Sequence, residues 1–97
     1  MGEYQISFTE EAKTDLAFYK AHERKRIVAG IRIQLSYQPL DETKNRKKLR
    51  DKQPARWELR TGKFRVFYEV ADSLVSILAV GHKEHNALFI RGKEVMI

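Results

Sequence analysis

The chain contains no cysteine, which excludes disulfide staples and thiolate metal sites. Its three histidines, His22, His82 and His85, are too few and too scattered to read as a metal centre, so neither a metal nor another cofactor is expected. No apolar run is long enough to span a bilayer; the longest, Leu74 to Val80, is interrupted by Ser76. The N-terminal "MGEYQISFTEE" has no basic n-region and no h-region. No membrane association is expected, and the compartment read from these absences is the cytoplasm. Internal repeats and linker-like stretches are also missing.

What is present is a folding composition with a basic surplus. Of 97 residues, 42% are hydrophobic and 10% aromatic, enough for one modest core and one domain spanning residues 1–97. Nineteen Lys and Arg against thirteen Asp and Glu leave a formal charge of +6. The surplus is concentrated in "KNRKKLRDK", where Lys44, Arg46, Lys47, Lys48, Arg50 and Lys52 face a single acid. A small basic domain of this kind suits a polyanion: nucleic acid, an acidic partner protein or a membrane surface. The plainer reading of the stretch is a solvated charged loop.

"YQISF" alternates apolar and polar residues and predicts a short strand. Thr9 then serves as a helix N-cap ahead of Glu10 and Glu11, acids that the helix dipole favours in a first turn. Ala12, Leu16 and Tyr19 share one face of that helix. A second helix from about Glu23 carries Ile27, Ile31 and Leu35 at spacings of four and stops before Pro39. The basic stretch shows neither period and reads as a loop. "RWELR" and "KFRVFYEV" flank Thr61-Gly62, and "LVSILAVG" follows Ala71-Asp72-Ser73, which predicts an antiparallel meander. The tail from His82 has a mixed pattern. The expected fold is α+β, a β-α-α-β-β-β domain with a helical hairpin packed on one face of an antiparallel sheet.

With Thr61-Gly62 as a two-residue loop, Arg60 faces Lys63, Glu58 faces Arg65 and Arg56 faces Phe67, all on one side. Trp57, Leu59, Phe64, Val66 and Tyr68 take the other side, against the helices. A solvated sheet face with one salt bridge would account for the charged side, although Arg60 opposite Lys63 is mildly unfavourable. A loop at Asp72-Ser73 adds His82 to the charged face; a shift of one residue adds Lys83 instead.

Cations, one carboxylate and imidazoles suit metal-free RNA cleavage by the 2′-hydroxyl. Glu58 or a neutral imidazole would take the 2′-OH proton. Arg65, with Arg56, Arg60 and Lys63, would stabilise the phosphorane, and His82, His85 or Lys83 would protonate the leaving oxygen. Phe67 or Phe89 would stack a splayed base.

The element order, "LRTGKFRVFYEV" and the following "LAVGHKE" resemble the RelE/ParE superfamily of bacterial toxin–antitoxin toxins over nearly the whole chain. The resemblance implies a toxin neutralised by an acidic, partly disordered antitoxin. In its RelE-like branch it implies an endoribonuclease that cleaves mRNA in the ribosomal A site and blocks translation. In its ParE-like branch it implies a poison of DNA gyrase without nuclease residues. The family's phosphate-holding arginine falls on Arg65, and its first-strand basic position falls on Arg56, with Glu58 two residues later. The basic residue after "VG" falls on Lys83, beside His82. The family's late tyrosine falls on Phe89, whose ring stacks but exchanges no proton. That departure moves acid–base work to Glu58, His82, Lys83 or His85, or else leaves a weak or inactive RNA-binding homologue.

Overall fold

The computed structural model describes residues 2–49 and 56–95. The chain runs β1 (Gln5–Phe8), α1 (Glu10–Ala17), α2 (Ala21–Leu35), β2 (Arg46–Leu49), β3 (Arg56–Thr61), β4 (Phe64–Ala71), β5 (Leu74–Glu84), β6 (Ala87–Ile90) and β7 (Lys93–Val95). Strands β2 to β7 lie in chain order as an antiparallel sheet, and β1 pairs with β5 in parallel. The α+β fold with a helical hairpin on one face is the expected one, enlarged by β2, β6 and β7. The basic stretch is therefore part strand. Its edge position and its lack of alternating apolar residues hid it from a period-based reading.

Local chemistry accounts for the helices. Thr9 caps α1 by accepting from the Ala12 N–H at 3.1 Å, while its own hydroxyl donates to the Ile77 carbonyl at 3.0 Å. The α2 helix starts at Ala21, two residues earlier than expected. There the Glu23 carboxylate accepts the Lys20 N–H at 3.2 Å, the half of a capping box that a lysine cap permits.

Buried Ile27, Ile31 and Leu35 form the inward stripe of α2. They pack on Trp57, Leu59, Phe64, Val66, Tyr68, Val75, Ile77 and Val80, which all belong to one core. Tyr68 buries its ring there because its hydroxyl donates to the Pro39 carbonyl at 2.6 Å. The main core thus lies on one face of the sheet, while the other face, where Phe67 and Leu88 are also buried, is not covered by the helices.

Candidate active site on the open sheet face

The β3–β4 register differs from the expected one. The loop is Gly62-Lys63, so Arg60 faces Arg65, and Glu58 faces Phe67. Gly62 has φ of 61° and takes the first loop position, where a tight hairpin turn requires positive φ. A Thr61-Gly62 loop would force β-branched Thr61 into that conformation. The slip moves each pair by two residues in total, so the faces survive. Arg56, Glu58, Arg60, Arg65 and Phe67 still share the side away from the helices. Lys63 leaves it. Its ammonium lies 3.7 Å from Glu23 on α2 and over the Phe64 ring.

A second irregularity decides which end of β5 joins the face. The β4–β5 loop is Asp72-Ser73, as expected, with Ala71 opposite Leu74. The register then shifts between Tyr68, opposite Ile77, and Phe67, opposite Ala79, so Leu78 is an extra residue on β5. Beyond it Phe64 pairs with His82, and Arg65 with Gly81. His82 therefore turns to the helix side, and Lys83 turns to the open face. On the helix side the His82 Nδ1 is 2.7 Å from the Tyr19 hydroxyl, and its Nε2 is 3.5 Å from Glu84. Phe89 pairs with His82 and stacks on it, 5.7 Å between ring centres, so it too lies off the open face. His85 sits exposed at the tip of the β5–β6 turn with φ of 52°.

The basic stretch divides in the same way. Arg46 is 6% exposed, and its guanidinium donates to the Gln34 carbonyl at 2.9 Å, the Gln34 side chain at 2.7 Å and the Asp41 carbonyl at 2.9 Å. It ties β2 to α2 and is not a phosphate contact. Lys47, opposite Glu58, adds a cation to the open face, whereas Lys48 is opposite Trp57. Lys44 is exposed before β2. Arg50 and Lys52 lie outside the described residues.

At the centre of the open face Glu58, 5% exposed, lies between two arginines. The Arg60 Nε is 3.8 Å from Oε1, and the Arg65 Nε is 3.7 Å from Oε2. Arg65 is fixed from the other end, because its Nη1 donates to the Gly62 and Phe64 carbonyls, each at 2.9 Å. Its buried Nε has no hydrogen-bond acceptor, since the Glu58 contact is an ion pair and too long for one. Burial lowers the Arg65 pKa; Glu58 opposes the shift and Arg60 adds to it. An arginine remains cationic regardless. The result is a preorganised cation with a buried, unused Nε donor beside a carboxylate. Among the described residues no group of three His, Asp or Glu could hold a metal ion.

Residues 6–87 match the family described as the ParE toxin of the type II toxin–antitoxin system parDE. The chain belongs to the ParE toxin family. It is similar in structure to the toxin–antitoxin complex RelBE2 from Mycobacterium tuberculosis. That similarity has a TM-score of 0.75 and 29% identity, over 86% of this chain and 94% of that one. It also shares its fold with the archaeal RelE–RelB complex from Pyrococcus horikoshii. There the TM-score is 0.68 and the identity 22%, over 84% of this chain and 97% of that one. No curated protein sequence matches it. The resemblance to RelE/ParE toxins read from the hairpin and "VGHK" is thus shown.

Two features escaped the sequence reading. Asp15, 2% exposed, accepts the Val80 N–H at 3.0 Å and lies 3.0 Å from the Arg91 Nε. Burial raises its pKa, against the pull of Val80 and Arg91. Tyr19 is pushed up to about 12, by burial first and then by the charges of Asp15 and Glu23, so its phenol stays protonated at ordinary pH. The signal was available: Asp15 stands three residues after Ala12 and four before Tyr19, on the apolar face of α1.

Proposed function

We propose that this toxin is an endoribonuclease that cleaves mRNA without a metal and so inhibits translation, on the ribosome. The observation that carries the reading is the buried Glu58 carboxylate held between Arg60 and Arg65, with Lys83 on the same face. Glu58 takes the proton of a ribose 2′-hydroxyl, and the freed oxygen attacks the adjacent phosphorus. Arg65 and Arg60 hold the charge that builds on the non-bridging oxygens. The P–O5′ bond breaks, and the Lys83 ammonium returns a proton to the leaving oxygen. The products are a 2′,3′-cyclic phosphate and a 5′-hydroxyl. His82 is held by Tyr19 on the other face, which favours Lys83 over His82 for the last step.

The partner in this reading is an acidic antitoxin. The RelBE2 and P. horikoshii relatives are toxin–antitoxin complexes. The groove between α1 and α2 has Leu16 and Val28 on its floor and Arg24, Lys25 and Arg32 around it, which suits an amphipathic acidic helix.

One observation favours a second reading, in which the toxin acts on a protein such as DNA gyrase. The open face has neither the family's tyrosine nor an imidazole, because Phe89 and His82 stack on each other elsewhere. Controlled expression followed by mapping of mRNA 5′ ends separates the two. New 5′ ends that vanish with Arg65→Ala support the nuclease. Growth arrest with intact mRNA and lost DNA supercoiling supports the protein target.

A further inference from the structure

Phosphate contacts hold an RNA strand in place but say nothing about which nucleotide is held. A nuclease face needs a second feature that grips a base. The open face has a cavity of about 380 Å³, one of whose walls is Phe67, the residue opposite Glu58. Its walls are apolar, with Phe67, Ala79, Leu88 and Ile90 among them, and the charged Arg56 and Glu11 also line it. The volume lies in the range that accepts a small organic ligand.

The position of the cavity gives it meaning. Phe67 is directly opposite Glu58 in the β3–β4 ladder, one strand spacing of about 4.8 Å away. A Cβ at Gly81 would lie 2.9 Å from Ile90 Cγ1, so Ile90 packs over Gly81, and Gly81 is the residue opposite Arg65. The cavity wall and the phosphate-holding guanidinium are therefore neighbours. Arg56 belongs to both, since it lines the cavity and shares the face of Glu58 and Arg60. A ligand that fits has a flat apolar part and an anion attached within one strand spacing. A nucleotide has this form. An apolar side chain of a protein partner would fill the volume but leaves Arg60, Arg65 and Lys83 without a role.

We infer that the cavity between Phe67 and Ile90 is a nucleobase subsite, in which a base unstacked from RNA packs against the Phe67 ring while its phosphate lies at Arg65. This rests on the RNA reading of the open face. It assigns to Phe67 the stacking role that Phe89 cannot fill from the other side of the sheet.

The test uses the full chain and a short single-stranded RNA, 2′-O-methylated throughout to block cleavage. A companion series carries one abasic residue at each position in turn. One abasic position should weaken binding about tenfold, the usual worth of one stacked base. Phe67→Leu and Ala79→Leu, which respectively remove the ring and fill the space, should lower affinity for intact RNA and abolish the abasic difference. Both should leave the salt dependence of binding unchanged. The abasic series on the unmodified protein keeps the test valid if either variant fails to fold. Salt-dependent RNA binding that ignores every abasic position overturns the base site alone. Retention of the abasic penalty in folded Ala79→Leu, or loss of antitoxin affinity only, likewise overturns it. Absence of binding both to the free RNA and to a ribosome programmed with it overturns the RNA reading of the face, and the base site with it.

Discussion

The β3–β4 hairpin gives its two faces opposite environments. Toward the helices it presents Trp57, Leu59, Phe64, Val66 and Tyr68, all buried in one core. Away from them it presents Arg56, Glu58, Arg60, Arg65 and Phe67. On the first face the Tyr68 hydroxyl finds a specific partner in the Pro39 carbonyl. On the second, a carboxylate is buried between two cations, and a guanidinium nitrogen keeps no acceptor. Stability alone would not select the second arrangement, because like charges across a ladder repel and buried ion pairs cost solvation. The difference teaches where to look for function: on the side where a buried carboxylate and a guanidinium are held against what stability alone would choose.

The largest expected contrast is in stability. Leu59→Ala opens a cavity in the covered face and should cost about 2–5 kcal/mol, a Tm fall of roughly 10 °C or more. Arg60→Ala, one residue along and half-exposed on the open face, should cost about 1 kcal/mol or less, because Arg65 still pairs Glu58. Equal melts for the two variants would dissolve the distinction between the faces.

The next contrast is in activity. Arg65→Ala should reduce cleavage by roughly 10²–10³, and abolish growth arrest, by removing one transition-state cation. It should also cost about 1 kcal/mol for the bonds to Gly62 and Phe64. Glu58→Gln should lower cleavage comparably if Glu58 is the base. Full toxicity of Arg65→Ala would move the argument to the protein-target reading.

Within the basic strand the same contrast shrinks to neighbours. Arg46→Ala should cost about 1.5–3 kcal/mol, because three charge-assisted bonds are lost. Lys47→Ala should leave the melt unchanged and lower the salt slope of RNA binding by about one. A reversal of these two outcomes would mean that β2 does not bury Arg46.

The smallest effect concerns pH. Asp15 has a folded pKa raised by burial above its ordinary 3.8. The folded chain therefore holds this proton more tightly than the unfolded one. Stability from this group is present at low pH and is lost as pH rises from that ordinary value through the raised one. Asp15→Asn should remove that slope from a plot of Tm against pH, and an unchanged slope would assign it to other carboxyls.

Much of this was legible in the sequence. The stripe Ile27, Ile31 and Leu35 and the Thr9 cap are local signals, and the structure has them in place. The division of β3 and β4 into a core side and a charged side was also legible, because alternation survives any slip by an even number of residues. The register itself was not, since Thr61-Gly62 and Gly62-Lys63 are both two-residue loops and differ only in which residue must take positive φ. Strand β2 was hidden because Arg46 occupies a buried position where an apolar residue would have shown the period. The bulge at Leu78 was hidden because "LVSILAVG" is apolar nearly throughout and carries no parity of its own.

That bulge makes chain length, rather than residue chemistry, the selector of the side chain that reaches the open face. Everything on β5 beyond Leu78 is rotated half a turn relative to an unbulged strand, so an ammonium is offered to the open face and an imidazole is withdrawn from it. Deleting one residue at Leu78 would reverse the exchange without altering either side chain. Relatives that differ by a single residue at this point would share the motif "VGHK" yet present different side chains on this face, and aligning their letters would not reveal it.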